Sequence, residues 1–199
     1  MKDTTGAVLA GGLSRRFGSD KSAAPWRGGT LVETVAEVLS GVFDLTLVVV
    51  KDPAPFLRLE RPGRRVVCDL RPESHSLGGV RSALAHAATE RVFVCACDMP
   101  FLDASLVRGL AEMGGGFDAV VPVWEGRLQP LCAVYGRACV PVIDRLLART
   151  NPRVSDVFDL VRTRFVTEED IRTMDPQGRS FMDLDTRAEY ERAREAASC

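Results

Sequence analysis

Hydrophobic runs of strand length alternate along this chain with segments in which apolar residues recur at helical spacing. This alternation favours an α/β fold, in which helices cover both faces of a mainly parallel sheet. The runs predicted as strands are residues 5–10, 45–50, 65–68, 92–96, 119–123 and 131–135. Helices are predicted at residues 30–41, around residues 80–87 and around residues 106–113, where apolar side chains fall on one face.

The turn signal at residues 124–127 separates two extended segments, so we expect one antiparallel pair within the otherwise parallel sheet. A last helix is predicted at residues 186–198, capped by Asp185 or Thr186. The 199 residues contain no repeat or linker that would divide them. We therefore predict a single domain over residues 1–199, a Rossmann-like three-layer α/β/α sandwich with a mixed, mostly parallel sheet.

Composition excludes several function classes. Lys and Arg total 26 and Asp and Glu total 27, so the formal net charge of −1 gives no basic field to hold a nucleic-acid polymer or an anionic membrane. No apolar run reaches the roughly 18 residues of a transmembrane helix, and no signal peptide is recognisable at the start, so we expect a cytoplasmic protein. The 6 cysteines have no C-x-x-C spacing, and we expect reduced, structural thiols.

A basic, glycine-containing loop follows the first predicted strand, over residues 11–21. Glycine lets backbone N–H groups approach an anion closely, while Arg15, Arg16 and Lys21 supply positive charge for phosphate oxygens. Lys21 lies in the wrong register for a Walker A loop, and the glycine spacing does not fit the dinucleotide-binding fingerprint. The loop is predicted to hold a polyphosphate; the alternative is a solvated loop whose cations face water.

Carboxylates follow other predicted strands. Asp98 comes directly after the strand at 92–96, where it is placed to hold a hard cation such as Mg²⁺, because Asp103 already offers a cap for the next helix. Asp69 follows the strand at 65–68, and its spacing fits a turn as well as a ligand contact. Asp183 and Asp185 alternate with apolar residues on one face of an extended segment. We expect Asp183 to contact metal or substrate, and Asp185 to cap the last helix.

These parts suit chemistry at phosphorus. Phosphoryl and nucleotidyl transfers are catalysed chiefly by positioning and by neutralising charge on phosphate oxygens. An attacking phosphate is already ionised at neutral pH and needs no general base. The presence of only 2 histidines, which excludes most Ser-His schemes, is then expected.

The basic loop and several later segments resemble those of a known family. The segment Leu9-Ala10-Gly11-Gly12-Leu13-Ser14-Arg15-Arg16-Phe17-Gly18-Ser19-Asp20-Lys21 is similar to the signature loop of nucleotidyltransferases with a glycosyltransferase-A-type fold, and most closely to that of the bacterial molybdenum cofactor guanylyltransferases (MobA-type). The resemblance extends over nearly the whole chain, through residues 76–80, 97–101, 129–131 and 181–186. It implies an enzyme that joins GMP from GTP to molybdopterin carrying molybdenum and releases pyrophosphate. Molybdoenzymes or their chaperones are further partners that it implies.

The resemblance also implies site residues. Nucleotide contacts are implied for Leu9, Ala10, Gly11, Gly12, Lys21, Asp69 and Asp98. Catalytic roles are implied for Arg16, Lys21 and Asp98, and Mg²⁺ ligation for Asp98 and Asp183. Arg153 lies in a basic stretch suited to the pterin phosphate.

Some positions depart from the family pattern. Lys51 stands where an Asn is common, His75-Ser76 replaces Gly-Pro, and Asp183 and Asp185 replace Asn. The Gly11-Gly12 pair leaves room for a purine, which favours guanine. The alternatives are a CTP-dependent molybdopterin cytidylyltransferase, a sugar-phosphate nucleotidyltransferase, and a non-catalytic nucleotide-binding module that serves molybdoenzyme maturation.

Overall fold

The structure is a computed structural model that describes residues 1–11, 21–71 and 75–196. Its strands are β1 (Thr4–Leu9), β2 (Pro25–Trp26), β3 (Gly29–Thr30), β4 (Thr46–Val50), β5 (Arg64–Cys68), β6 (Arg91–Ala96), β7 (Ala119–Trp124), β8 (Arg127–Leu128), β9 (Cys132–Gly136) and β10 (Thr163–Val166). Its α-helices are α1 (Leu31–Ser40), α2 (Ser76–His86), α3 (Ala104–Glu112), α4 (Val140–Leu147), α5 (Glu168–Arg172) and α6 (Arg187–Ala196). Short 3₁₀ turns lie at Lys21–Ala23, Ala54–Leu59, Arg137–Cys139, Val154–Val157 and Arg179–Phe181.

One sheet organises the described part of the chain, in the order β10-β7-β9-β6-β1-β4-β5, with β8 paired to β7. Strands β6, β1, β4 and β5 are mutually parallel, whereas β9 is antiparallel to both β6 and β7. The predicted mixed, mostly parallel sheet is therefore confirmed, including the antiparallel pair. The parallel half is the part that positions the candidate site, because all of its strands deliver their carboxyl ends to one edge.

Apolar side chains on both faces of the strands explain the two helical layers. On β1, Val8 belongs to the hydrophobic cluster that includes residues of α1 and α3, while its neighbour Ala7 belongs to the cluster that includes residues of α2 and α4. Successive side chains of a strand point to opposite faces, so a continuous apolar run needs cover on both. The five residues of β4 are all buried, as this arrangement requires.

Helix boundaries follow local capping chemistry. Thr30 and Glu33 form a capping box at the start of α1: Glu33 N–H donates to Thr30 Oγ1, and Thr30 N–H donates to Glu33 Oε2. Asp103 Oδ1 accepts from Ser105 N–H at 2.6 Å and starts α3, as predicted. Thr186 caps α6 through the same reciprocal arrangement with Glu189. The expectation that Asp185 caps this helix is therefore wrong.

The sequence-based prediction missed several short elements. Strands β2, β3 and β8 have two residues each, which is too short for a period to be read. The tight turn between β7 and β8 has positive φ at both Glu125 and Gly126, the backbone of a two-residue hairpin. Helix α4 was also missed, although Val142, Ile143 and Leu146 are buried at helical spacing.

Two further expectations concern membrane-spanning helices and the cysteines. Among the described residues, no helix combines the length and apolarity needed to cross a bilayer. Cys68, Cys95, Cys97, Cys132 and Cys139 are free thiols, as predicted for these positions.

Candidate active site

The carboxyl ends of four parallel strands meet at one edge of the sheet. Leu9 at the end of β1 is in register with Val49 of β4 on one side and Ala96 of β6 on the other. Val50 of β4 is in register with Cys68 of β5. The residues that follow these strands, namely Ala10, Gly11, Lys51, Asp69 and Asp98, therefore share this edge. The exits of β1, β4, β5 and β6 therefore lie side by side.

Lys21 and Asp98 join the first loop to the exit of β6. Lys21 Nζ donates to Asp98 Oδ2 at 2.7 Å, and only 8% of the lysine side chain is exposed. Burial by itself would lower the pKa of Lys21, but the Asp98 and Asp185 carboxylates outweigh it and raise that pKa above its ordinary value. Lys21 is therefore a buried cation that is held between two carboxylates.

The chain segment before α6 adds two more carboxylates. Leu184 N–H donates to the Asp98 carbonyl at 3.0 Å, and this bond fastens the segment against the β6 exit. Asp185 Oδ1 lies 3.3 Å from Lys21 Nζ, so this carboxylate faces the site while Thr186 caps the helix. Burial, followed by the charges of Asp185 and Asp98, raises the pKa of Asp183. Asp98, Asp183 and Asp185 thus gather around Lys21.

A buried polar and aromatic network holds this segment in place. Asp175 Oδ2 accepts from Ser180 N–H at 2.8 Å, and Ser180 Oγ accepts from Asp103 N–H at 2.9 Å. Phe181 lies against the Trp124 ring with centroids 5.6 Å apart. The sequence prediction missed these positioning residues, and the turn signal at residues 175–178 was the only local hint.

The donor set fits a hard divalent cation. Carboxylate oxygens are the protein ligands that Mg²⁺ prefers, and it commonly takes one or two of them together with substrate phosphates and water. Among the described residues, Asp98 and Asp185 pair with Lys21 and the Asp183 carboxylate interacts with both of them, so these four side chains include more acidic groups than basic ones. Among residues 1–11, 21–71 and 75–196, no three Asp, Glu, His or Cys side chains form a complete metal cage. Asp98 and Asp183 therefore suit partial ligation of an ion that is also bound by a substrate.

The β1 exit provides backbone groups beside these charges. Ala10 N–H donates to the Val49 carbonyl at 2.9 Å, and the Leu9 carbonyl accepts from Cys97 N–H at 3.2 Å. The Leu9 side chain packs so close to Gly79 of α2 that a Cβ there would lie 3.0 Å from Leu9 Cδ1. Two predicted site residues of this loop, Gly12 and Arg16, lie outside the described residues.

The other predicted residues have less central positions. The Asp69 carboxylate is only 5% exposed and is engaged by Lys51 and by Ser82 of α2. Arg153 is exposed, and its backbone N–H donates to Asp156 Oδ2 at the start of the turn Val154–Val157. The structure thus brings Lys21, Asp98 and Asp183 together and sets Asp69 in a separate network.

Comparison with known proteins identifies the family. The sequence model of a protein family, described as the MobA-like NTP transferase domain, matches residues 6–162. The chain belongs to the MobA-like NTP transferase family.

Relatives across this MobA-like family match nearly the full length. The probable molybdenum cofactor guanylyltransferase of Pelotomaculum thermopropionicum is 36% identical over 194 residues, which cover 98% of this chain and 93% of that protein. The molybdenum cofactor guanylyltransferase of Desulfosudis oleivorans is 34% identical over 200 residues, covering 98% of this chain and 96% of its own. The crystal structure of molybdopterin-guanine dinucleotide biosynthesis protein A from Archaeoglobus fulgidus has a TM-score of 0.84 at 27% identity and covers 98% of both chains.

Family membership confirms the resemblance and the fold class. The matched MobA-like region contains the β1 exit, Lys21 and Asp98. Asp183 and Asp185 lie beyond residue 162, in a part of the chain that the full-length relatives still cover.

Proposed function

We propose that this chain transfers GMP from GTP to molybdopterin carrying molybdenum, releasing pyrophosphate, in molybdenum cofactor biosynthesis. The observation that carries the proposal is the meeting of Lys21, Asp98 and Asp185 beside the backbone of Leu9, Ala10 and Gly11. The names of the full-length relatives support the choice of GTP and of a molybdopterin acceptor.

In this proposal an oxygen of the acceptor's phosphate attacks the α-phosphorus of GTP. A bond forms from that oxygen to the α-phosphorus, and the bond from the α-phosphorus to the bridging oxygen breaks, so that pyrophosphate leaves with the electron pair. Asp98 and Asp183 would hold Mg²⁺, which when bound neutralises charge on the phosphate oxygens. Lys21, aided by Arg16, binds phosphate oxygens. Leu9, Ala10, Gly11, Gly12 and Asp69 bind the nucleotide.

Neither histidine is placed as a general base for this step. His75 Nδ1 accepts from Leu77 N–H at 3.1 Å and caps α2, and His86 Nε2 is 3.0 Å from the Cys68 carbonyl. Both imidazoles are thus engaged in structural hydrogen bonds. An acceptor that is already an ionised phosphate needs no proton removed, which fits catalysis by positioning and charge.

The proposal has a cellular side. The reaction would take place in the cytoplasm, and molybdoenzymes or their chaperones would receive the product. Co-purification with the chain would identify these partner proteins. The outcome of that experiment does not affect the proposed chemical step.

The test is to incubate the purified chain with Mg²⁺ and molybdate-loaded molybdopterin, supply each of GTP, CTP, ATP and UTP in turn, and measure pyrophosphate. Turnover with GTP that depends on the acceptor is the expected result. If only CTP supports turnover, the assigned nucleotide is CTP and the enzyme is a cytidylyltransferase. Binding of GTP in a thermal-shift assay without pyrophosphate release under any condition would point to the non-catalytic nucleotide-binding module instead.

A further inference from the structure

A polar network connects the exits of β4 and β5 to α2, with the Asp69 carboxylate at its centre. Lys51 Nζ lies 2.8 Å from Asp69 Oδ2. Asp69 Oδ1 accepts from Ser82 Oγ at 2.7 Å and from Arg71 N–H at 3.1 Å. Ser82 Oγ also accepts from Leu70 N–H at 2.9 Å. Each carboxylate oxygen of Asp69 is therefore engaged within the protein.

Lys51 links this network to the β1 exit. A Cβ built on Gly11 would lie 3.4 Å from Lys51 Cγ and 3.7 Å from Lys51 Cε, so the lysine methylenes run alongside the Gly11 backbone. At its far end, the Lys51 ammonium donates to the Arg71 carbonyl as well as to Asp69. The Lys51 side chain thus lies beside the β1 exit and binds residues of the β5 exit.

The two partners differ in burial. The Asp69 side chain is 5% exposed and that of Lys51 is 29% exposed. A buried carboxylate is costly to leave without partners, so the Asp69 carboxylate holds the Lys51 ammonium in place. The methylene chain of Lys51 is then held between that ammonium and β4, and it lies beside Gly11.

We infer that Lys51 is a positioning residue that sets the Gly11 backbone for nucleotide binding, and that Asp69 and Ser82 hold Lys51 in that position. This inference rests on the proposed function, because it assumes that the nucleotide lies on the β1 exit. Ser82 gives a means to test it, since this side chain is completely buried and is the second partner of Asp69.

The experiment measures Kd for Mg²⁺·GTP by calorimetry, and kcat and KM for GTP by pyrophosphate release. The variants are Lys51→Met, which keeps the stem and removes the ammonium, Lys51→Arg, Ser82→Ala, and the Lys51→Met/Ser82→Ala pair. Arg81→Met is the matched control, because Arg81 lies on the same helix and pairs with Asp144 outside this network. Circular dichroism and Tm establish that each variant is folded.

We expect Lys51→Met to raise Kd and KM about tenfold with kcat within twofold of wild type, which is the size of one lost charged hydrogen bond. Ser82→Ala should raise Kd in the same direction, and the double variant should exceed Lys51→Met by less than the product of the two effects. Lys51→Arg should recover part of the affinity. A purely structural role would lower Tm without this separation of KM from kcat.

Two results would overturn the inference while the proposed function stands. One is a folded Lys51→Met variant with wild-type Kd; the other is an unchanged Kd with a large fall in kcat, which would make Lys51 a contact of the reacting phosphates. If wild type itself binds neither GTP nor any other nucleoside triphosphate, the proposed function fails first, and this inference fails with it.

Discussion

The Lys21 ammonium lies 2.7 Å from the Asp98 carboxylate although 77 positions separate them in the chain. One residue ends the loop after β1 and the other follows β6, and these two strands are adjacent and parallel. The contact therefore joins the predicted phosphate-binding loop to the predicted metal ligand. Asp185, in a third segment of the chain, pairs with the same ammonium. Lys21 therefore connects three segments of the candidate site.

Replacing Lys21 by Met should abolish most of the activity. The variant keeps the apolar stem and removes the cation that we propose for the phosphates, so kcat should fall roughly 10²- to 10³-fold, as for other preorganised electrostatic groups. Pyrophosphate release measures this, and Lys2→Met at an exposed position is the control. A folded Lys21→Met variant with activity within tenfold of wild type would contradict the role.

Replacing Asp98 by Ala should separate binding from turnover. The metal contributes mainly where charge develops in the transition state, so GTP should still bind measurably while pyrophosphate release is lost. Calorimetry and a turnover assay on the same preparation measure the two quantities, with Asp159→Ala at an exposed position as control. Equal loss of binding and of Tm would instead show that Asp98 is needed for folding.

The sequence was sufficient for the parts of the site that follow long parallel strands. Asp98 and the β1 exit could be placed because a buried apolar run ends immediately before each. The role of Asp185 could not, since both Asp185 and Thr186 are suitable caps in sequence and only the fold brings Lys21 close to the aspartate. The packing of residues 175–181 depends on the contact between Phe181 and Trp124. Trp124 is distant in sequence, so no local pattern predicts this contact.

Replacing Asp183 by Asn should weaken divalent-cation binding. Among the described residues Asp183 forms no ion pair, whereas Asp185 is paired with Lys21, so Asp183 has the carboxylate better placed to accept an added cation. We expect the Kd for Mn²⁺, measured by electron paramagnetic resonance in the presence of GTP, to rise at least about tenfold, a loss of roughly 1.4 kcal/mol. Asp185→Asn should have a smaller effect; the reverse order would exchange the two roles.

Glu33 should make the stability of the fold sensitive to acid. Burial raises the pKa of Glu33, but hydrogen bonds from Thr30 and Arg58 outweigh it, and the pKa lies below its ordinary value. A carboxyl whose folded pKa is depressed stabilises the fold above its unfolded pKa of about 4.3, and this stabilisation is lost as pH falls through the folded value.

Glu33→Gln should therefore lower the free energy of unfolding by about 1 kcal/mol at pH 7, the size of a lost cap. The difference from wild type should shrink at pH 3.5. Urea unfolding at both pH values measures it, with exposed Glu112→Gln as the control. A pH-independent difference would mean that the charge of Glu33 does not matter.

Gly178 should tolerate no side chain. Its φ is +62°, and a Cβ there would lie 2.0 Å from Trp124 Cζ2, an overlap that requires the ring or the segment to move. The Trp124 ring is fixed in turn by Phe181 and by the Arg172 guanidinium 4.7 Å from its centroid. Left-handed backbone strain and overpacking together should cost about 2–5 kcal/mol in Gly178→Ala.

Gly126→Ala separates the two causes, because Gly126 also has positive φ, at +70°, but a Cβ there would meet nothing within 4 Å. This control should lose only about 1–2 kcal/mol, from backbone strain alone. Because residues 179–185 continue directly from Gly178 to the carboxylates beside Lys21, Gly178→Ala should also weaken Mn²⁺ binding, whereas Gly126→Ala should not. Equal losses of stability in the two variants, measured by urea unfolding, would show that Trp124 yields and that it does not hold this segment.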